Sequence, residues 1–137
     1  MVTSVQAHYH QHLAATTPAG DPQEDLDVLK NLEEQLAQLL AQLKQDGPSP
    51  ELLKEIGIMK DAVRAQLDEF EADAKAAHGG KLPSNLEGEI RNVNEDLDSV
   101  TIDLNNLAQD PKSQQFLENL EDDLNTTDLD IENMKYQ

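Results

Sequence analysis

The chain has 137 residues, with 10 lysines and arginines against 28 aspartates and glutamates, a formal net charge of −18, no Cys, no Trp and 3% aromatic residues. That length holds one domain with a real core. The missing cysteine excludes disulfides, thiolate catalysis and cysteine-ligated zinc, and the charge opposes nucleic-acid phosphates and anionic lipid. With no apolar run of about eighteen residues and no basic-then-apolar leader, the sequence predicts no membrane insertion and a location that is cytoplasmic, or exported without a cleavable signal peptide.

In chain order, residues 1–20 read as a flexible N-terminal arm ending in the linker composition Thr16-Thr17-Pro18-Ala19-Gly20. Val5, Tyr9 and Leu13 recur every four residues there, which gives at most a short, marginal helix. Residues 21–137 then divide into four helical segments, over about 22–45, 50–78, 85–108 and 111–135, each opened by a start signal. Asp21-Pro22 and Ser49-Pro50 place a capping oxygen before a helix-compatible proline. Ser84-Asn85-Leu86-Glu87 matches a capping box, and Asp110-Pro111 opens the last segment. Gly47-Pro48 and Gly79-Gly80 are stop signals.

Helical periodicity runs through all four segments. Leu29, Leu32, Leu36, Leu39 and Leu43 stripe the first, and Ile56, Met59, Val63, Leu67, Phe70 and Ala74 the second. In the third, Leu86, Ile90, Val93, Leu97, Val100, Leu104 and Leu107 alternate steps of four and three, the narrow stripe of a heptad seam. Leu117, Leu120, Leu124, Ile131 and Met134 continue the pattern in the fourth, with Thr127 as a polar interruption. This register puts Leu97 inside and Ser99 outside. From Leu107 to Leu117 the heptad slips by one residue beside Pro111, which predicts a hairpin turn near Gln109-Asp110-Pro111 in preference to a kinked rod. The fold expected is all-α: an up-down four-helix bundle or a pair of coiled-coil helical hairpins, in a single helical-bundle domain.

Catalytic order is missing where helical order is strong. His8 and His12 are the candidate metal ligands, since they share a face if the arm is helical, but no third ligand stands nearby. A calcium loop begun at Asp123 puts Asp128 where glycine is required and Met134 where a bidentate glutamate is required, so that reading fails. Gly79-Gly80-Lys81-Leu82 lacks the earlier glycine and the following hydroxyl of a phosphate loop. Lys75 stands three residues before His78, where a di-iron bundle needs a carboxylate. The expectation is a protein that is no enzyme, with no catalytic residues and no cofactor.

What remains is association. The twelve apolar residues of the third and fourth stripes form the expected partner-binding seam, and the function expected is a non-enzymatic adaptor, small chaperone or assembly subunit acting through helix packing. Its partner would be a protein, basic or helical in character, or a second copy of the chain. The stretch Gly47-Pro48-Ser49-Pro50-Glu51-Leu52-Leu53 resembles the proline–serine–proline turn that joins the two helices of needle subunits in bacterial type III secretion. That resemblance implies a secretion-type chaperone or exported helical subunit as an alternative, although this chain adds two further helices and far more negative charge. Another alternative is a ligand-binding four-helix protein using Thr127, Thr101 or Asn94 on or beside the seam. A third is an acidic mimic of nucleic acid in a basic groove.

Overall fold

A computed structural model describes residues 20–136. Four helices follow in order: α1 (Pro22–Asp46), α2 (Pro50–Ala77), α3 (Ser84–Gln109) and α4 (Gln114–Glu132). Two starts follow the expected chemistry. The Asp21 carboxylate accepts from the Gln23 amide at 3.0 Å, and Ser49 Oγ accepts from the Leu52 amide at 3.1 Å. The first two helices stop where glycine allows positive φ. The Gly47 amide bonds the Leu43 carbonyl at 2.9 Å, and beyond α2 the Gly80 amide reaches back to Lys75 at 2.7 Å, with Gly79 at φ +68°.

Two starts differ from the sequence reading. Ser84 is the first residue of α3 and not its cap. The amides of Leu86 and Glu87 bond the Pro83 carbonyl at 3.0 and 3.1 Å, and no side chain caps this end. The fourth helix begins at Gln114 instead of Pro111 and ends at Glu132 instead of about 135. The Asp110 amide still bonds back to Asn106 at 2.9 Å, so the proline terminates α3 instead of opening α4. Ser113 then supplies the cap, accepting from Phe116 at 3.1 Å.

Each helix lies against two neighbours: α1 on α2 and α4, α3 on α4 and α2. Cross-helix partners run oppositely along the α2–α3 and α3–α4 pairs. Lys60 meets Thr101 while Arg64 meets Asn94 and Asp98, and Asp103 meets Asp123 while Asp96 meets Asp130. The result is the up-down four-helix bundle, with a hairpin after α3. Leu29, Leu36, Leu43, Ile56, Leu67, Phe70, Leu97, Leu107, Leu120 and Leu124 are all fully enclosed in one shared core. Ser99, expected outside, is half-buried. No helix among the described residues is long and apolar enough to cross a membrane. Residues 1–19 of the expected arm, with His8 and His12, lie outside the described residues.

Candidate functional site

The stripes singled out as a partner-binding seam face inward. Leu86, Ile90, Val93, Leu97, Val100, Leu107, Leu120, Leu124, Ile131 and Met134 are buried in the core of this chain, and Leu104 and Leu117 are partly buried against it. Their apolar surface is matched by the other three helices, which is the burial a two-in-seven stripe otherwise seeks from outside. The polar groups near the seam are also engaged. Thr127 Oγ1 donates to the Asp123 carbonyl at 2.7 Å, and Thr101 Oγ1 donates to Leu97 at 2.9 Å while accepting from Lys60 Nζ at 3.0 Å. Asn94 Oδ1 accepts from Arg64 at 3.0 Å.

What the sequence reading missed is a set of carboxyl groups set between helices. Asp25, Asp73, Asp103, Asp128 and Glu33 are all buried. Each meets another acid. Asp25 of α1 shares a hydrogen bond with Asp73 of α2, with Glu69 beside them. Along the α3–α4 interface Asp103 is bonded to Asp123, and Asp96 to Asp130. Asp128 of α4 lies in the field of Glu33 on α1 and of Glu132 one turn along its own helix.

Electrostatics follow directly. A carboxylate removed from water loses solvation, and two that touch cannot both ionise without strong repulsion, so such a pair holds a proton far above the usual range. Burial first, then the hydrogen bond and charge of the facing acid, push Asp25, Asp96 and Asp103 up to about 8. Asp128 is also pushed up to about 8, by burial and then by Glu33 and Glu132. Glu33 is raised for the same reasons, chiefly burial and the charge of Glu132. A signal for the α3–α4 pairs was present in the sequence: Asp96 and Asp103 are seven residues apart, as are Asp123 and Asp130, so each acid pair repeats with the heptad beside the seam.

Asp128 gives a direct check. Asp128→Asn keeps the shape and removes the ionisable proton, so at about pH 8 it is expected to stabilise the protein by about 2 kcal/mol, and at about pH 5 to change little. Urea unfolding at the two pH values measures this. Destabilisation of equal size at both would mean that the carboxyl makes a favourable contact that an amide cannot replace.

The remaining interface is of another kind. Between α2 and α3 the fastenings are cationic: Lys60 reaches Thr101, and Arg64 Nη2 meets Asp98 at 2.7 Å. On either side of these bridges the two helices part. At the loop end Pro48, Pro50, Leu53, Leu104, Leu107 and Pro111 line an apolar cleft of about 350 Å3. At the other end a polar groove of about 460 Å3 runs between Glu71, Lys75, Glu87, Arg91, Glu95 and Asp98. Near that end Tyr136 closes over α2, its ring edge-on to Phe70 at 6.1 Å and its hydroxyl 3.1 Å from His78 Nε2.

As a cation holder, the α1–α2 cluster has the right donors. Asp25, Glu69 and Asp73 each offer a carboxylate oxygen, all within 4.8 Å of one another. As an acid–base site, the raised carboxyl groups provide proton donors at neutral pH, but they are set between helices and not along the apolar cleft. Comparison of the chain with protein-family models, with curated proteins and with solved structures finds no match.

Proposed function

We propose that this chain is a non-enzymatic helical binding protein, an adaptor, small chaperone or assembly subunit, which engages a basic protein segment through the outer face of its α3–α4 hairpin. The observation that carries this reading is the division of labour between core and surface. The apolar stripes pack inside, so a partner meets what is left outside. On α3 and α4 that is a surface of exposed Glu87, Glu95, Glu118, Asp122 and Glu132. Arg91 is the one basic residue of α3, and α4 has none. Such a face attracts cationic segments, speeds their encounter and rejects anionic ones. An exported subunit or chaperone of the type III secretion kind is one form this function takes, and it is supported by the Pro48-Ser49-Pro50 turn between two antiparallel helices.

Fluorescence anisotropy with a labelled oligolysine peptide tests the face. Affinity is expected to fall more than tenfold between about 50 and 300 mM salt. It is also expected to fall several-fold in Glu95→Gln/Glu118→Gln/Asp122→Asn. The matched neutralisation Glu34→Gln/Glu51→Gln/Glu55→Gln on α1 and α2 should have less effect. Equal losses in the two triple variants would reduce the interaction to bulk charge and remove the α3–α4 face from the proposal. A second reading, a four-helix protein that takes a small apolar ligand, is favoured by the cleft beside Leu53 and Leu104. Thermal stabilisation by small apolar compounds, lost in Leu53→Arg, is the result it requires.

A further inference from the structure

We propose that the cleft between α2 and α3 at the loop end of the bundle binds a medium-chain aliphatic carboxylate, with its alkyl chain against Leu53, Leu104 and Leu107 and its head group at Lys54. This rests on the second reading of the function, an apolar ligand in that cleft, and is independent of the α3–α4 face.

Shape comes first. The cleft holds about 350 Å3, within the roughly 300–1,000 Å3 of small-molecule sites. Leu107, fully enclosed in the core, is its deepest wall, and the half-buried Leu53 and Leu104 stand on either side. Pro48, Pro50 and Pro111 also line it. Proline carries no N–H and its ring fixes φ, so these loop residues keep the lining apolar and form the cleft before a ligand arrives. The cleft ends where the helices close on each other: a side-chain carbon at Gly57, about one turn beyond Leu53, would already sit 3.8 Å from Leu104 Cδ1. No aromatic ring lines it, so the walls suit an alkyl chain and offer a ring nothing to stack on.

Charge is the second, independent observation. The chain has 28 acidic residues against 10 basic ones, yet no Asp or Glu lines this cleft, and Lys54 does. The polar groove at the other end, by contrast, is lined by Glu71, Glu87, Glu95 and Asp98. Lys54 is exposed and is bonded to no carboxylate among the described residues. Ser49 and Pro50, on the same lining, open the 28-residue helix α2, whose amino end carries the positive end of the helix dipole. A cation and a helix amino end on the α2 side of an apolar slot match a ligand that is apolar along its length and anionic at one end. An aliphatic acid is that ligand at neutral pH. An alkylammonium, which the −18 charge of the chain attracts in bulk, is not.

Calorimetric titration of the full chain at about pH 7.5 with straight-chain carboxylates from hexanoate to dodecanoate tests the site. Affinity is expected to rise about two- to fourfold per methylene, to reach a Kd of about 10−5 to 10−4 M at decanoate, and to level off once the cleft is full. At equal chain length, octanoate should bind several-fold more tightly than octanol or octylammonium. Lys54→Glu should weaken octanoate about tenfold and leave octanol within about twofold. Ala108→Phe, at an exposed residue of the lining, should fill the space and weaken every ligand without lowering Tm. Octanol or octylammonium binding as tightly as octanoate, or octanoate binding unchanged in Lys54→Glu, overturns the carboxylate proposal and leaves the apolar-ligand reading in place. No saturable binding by any of the three, or binding indifferent to Ala108→Phe, overturns both.

Discussion

Lowering the pH from about 8 to about 5 is expected to raise the melting temperature of this bundle by more than about 10 °C, the opposite of ordinary acid denaturation. The groups responsible are Asp96, Asp103 and Asp128, each pushed up to about 8 in the folded chain against about 3.9 for an aspartate in water. Between those values the folded state holds protons that the unfolded state releases. Stability therefore falls as pH rises: the contribution is complete below about pH 4 and is lost as pH climbs through about 8. All the charges facing these groups work in the same direction. Asp130, Asp123 and Glu95 act on Asp96, Asp123 acts on Asp103, and Glu33 and Glu132 act on Asp128. One pH unit of displacement is worth about 1.4 kcal/mol per group, so even after helix relaxation the three together outweigh any single surface contact. Calorimetric scans from pH 8 to 5, kept above the sequence pI near 4.2, read the effect directly. A melting temperature that stays level or drops on acidification would show that the facing acids are not held in contact.

The second large effect is structural. Leu97→Asp is expected to abolish the folded state near neutral pH. Leu97 is fully enclosed midway along α3. Its loss removes a leucine worth about 2–5 kcal/mol of packing and puts a carboxylate where nothing solvates it. Together these reach the roughly 5–15 kcal/mol by which a domain of this size is stable. Far-UV circular dichroism should show most of the helicity gone, with partial recovery at about pH 5, where the introduced carboxyl takes up a proton. Asn92→Asp, on the exposed side of the same helix, should leave the spectrum and Tm nearly unchanged. Similar losses from both substitutions would mean that α3 does not present Leu97 to the core.

How far the sequence was legible depends on whether the deciding interaction is local. The four helices, their apolar stripes and the caps at Asp21 and Ser49 follow from contacts within a few residues, and those expectations match the structure. The start of α4 was misread at Pro111 because proline serves equally as a first helical residue and as a terminator; the Asp110 bond to Asn106 decides between the two. Ser84 looked like a capping serine, yet the helix takes it as its first residue. The stripes of α3 and α4 were legible as seams, but the identity of the surface they meet was not, since a heptad records that a helix packs and not upon what. The carboxyl contacts lay further out of reach. Asp25 in a first turn reads as a favourable helix-dipole residue, and only the rotation of α1 against α2 brings it onto Asp73. The heptad-spaced acids Asp96 and Asp103, opposite Asp123 and Asp130, were the one readable hint.

The contrast between the interfaces has a consequence for ionic strength. Lys60 and Arg64 fasten α2 to α3 by attraction, while Asp96–Asp130 and Asp103–Asp123 strain α3 against α4 once their shared protons leave. Mobile ions screen the exposed Arg64–Asp98 bridge far more than acids set between helices, so salt loosens the α2–α3 flank and leaves the α3–α4 flank nearly as it was. Ionic strength therefore reads the α2–α3 flank of α3, and pH reads its α3–α4 flank.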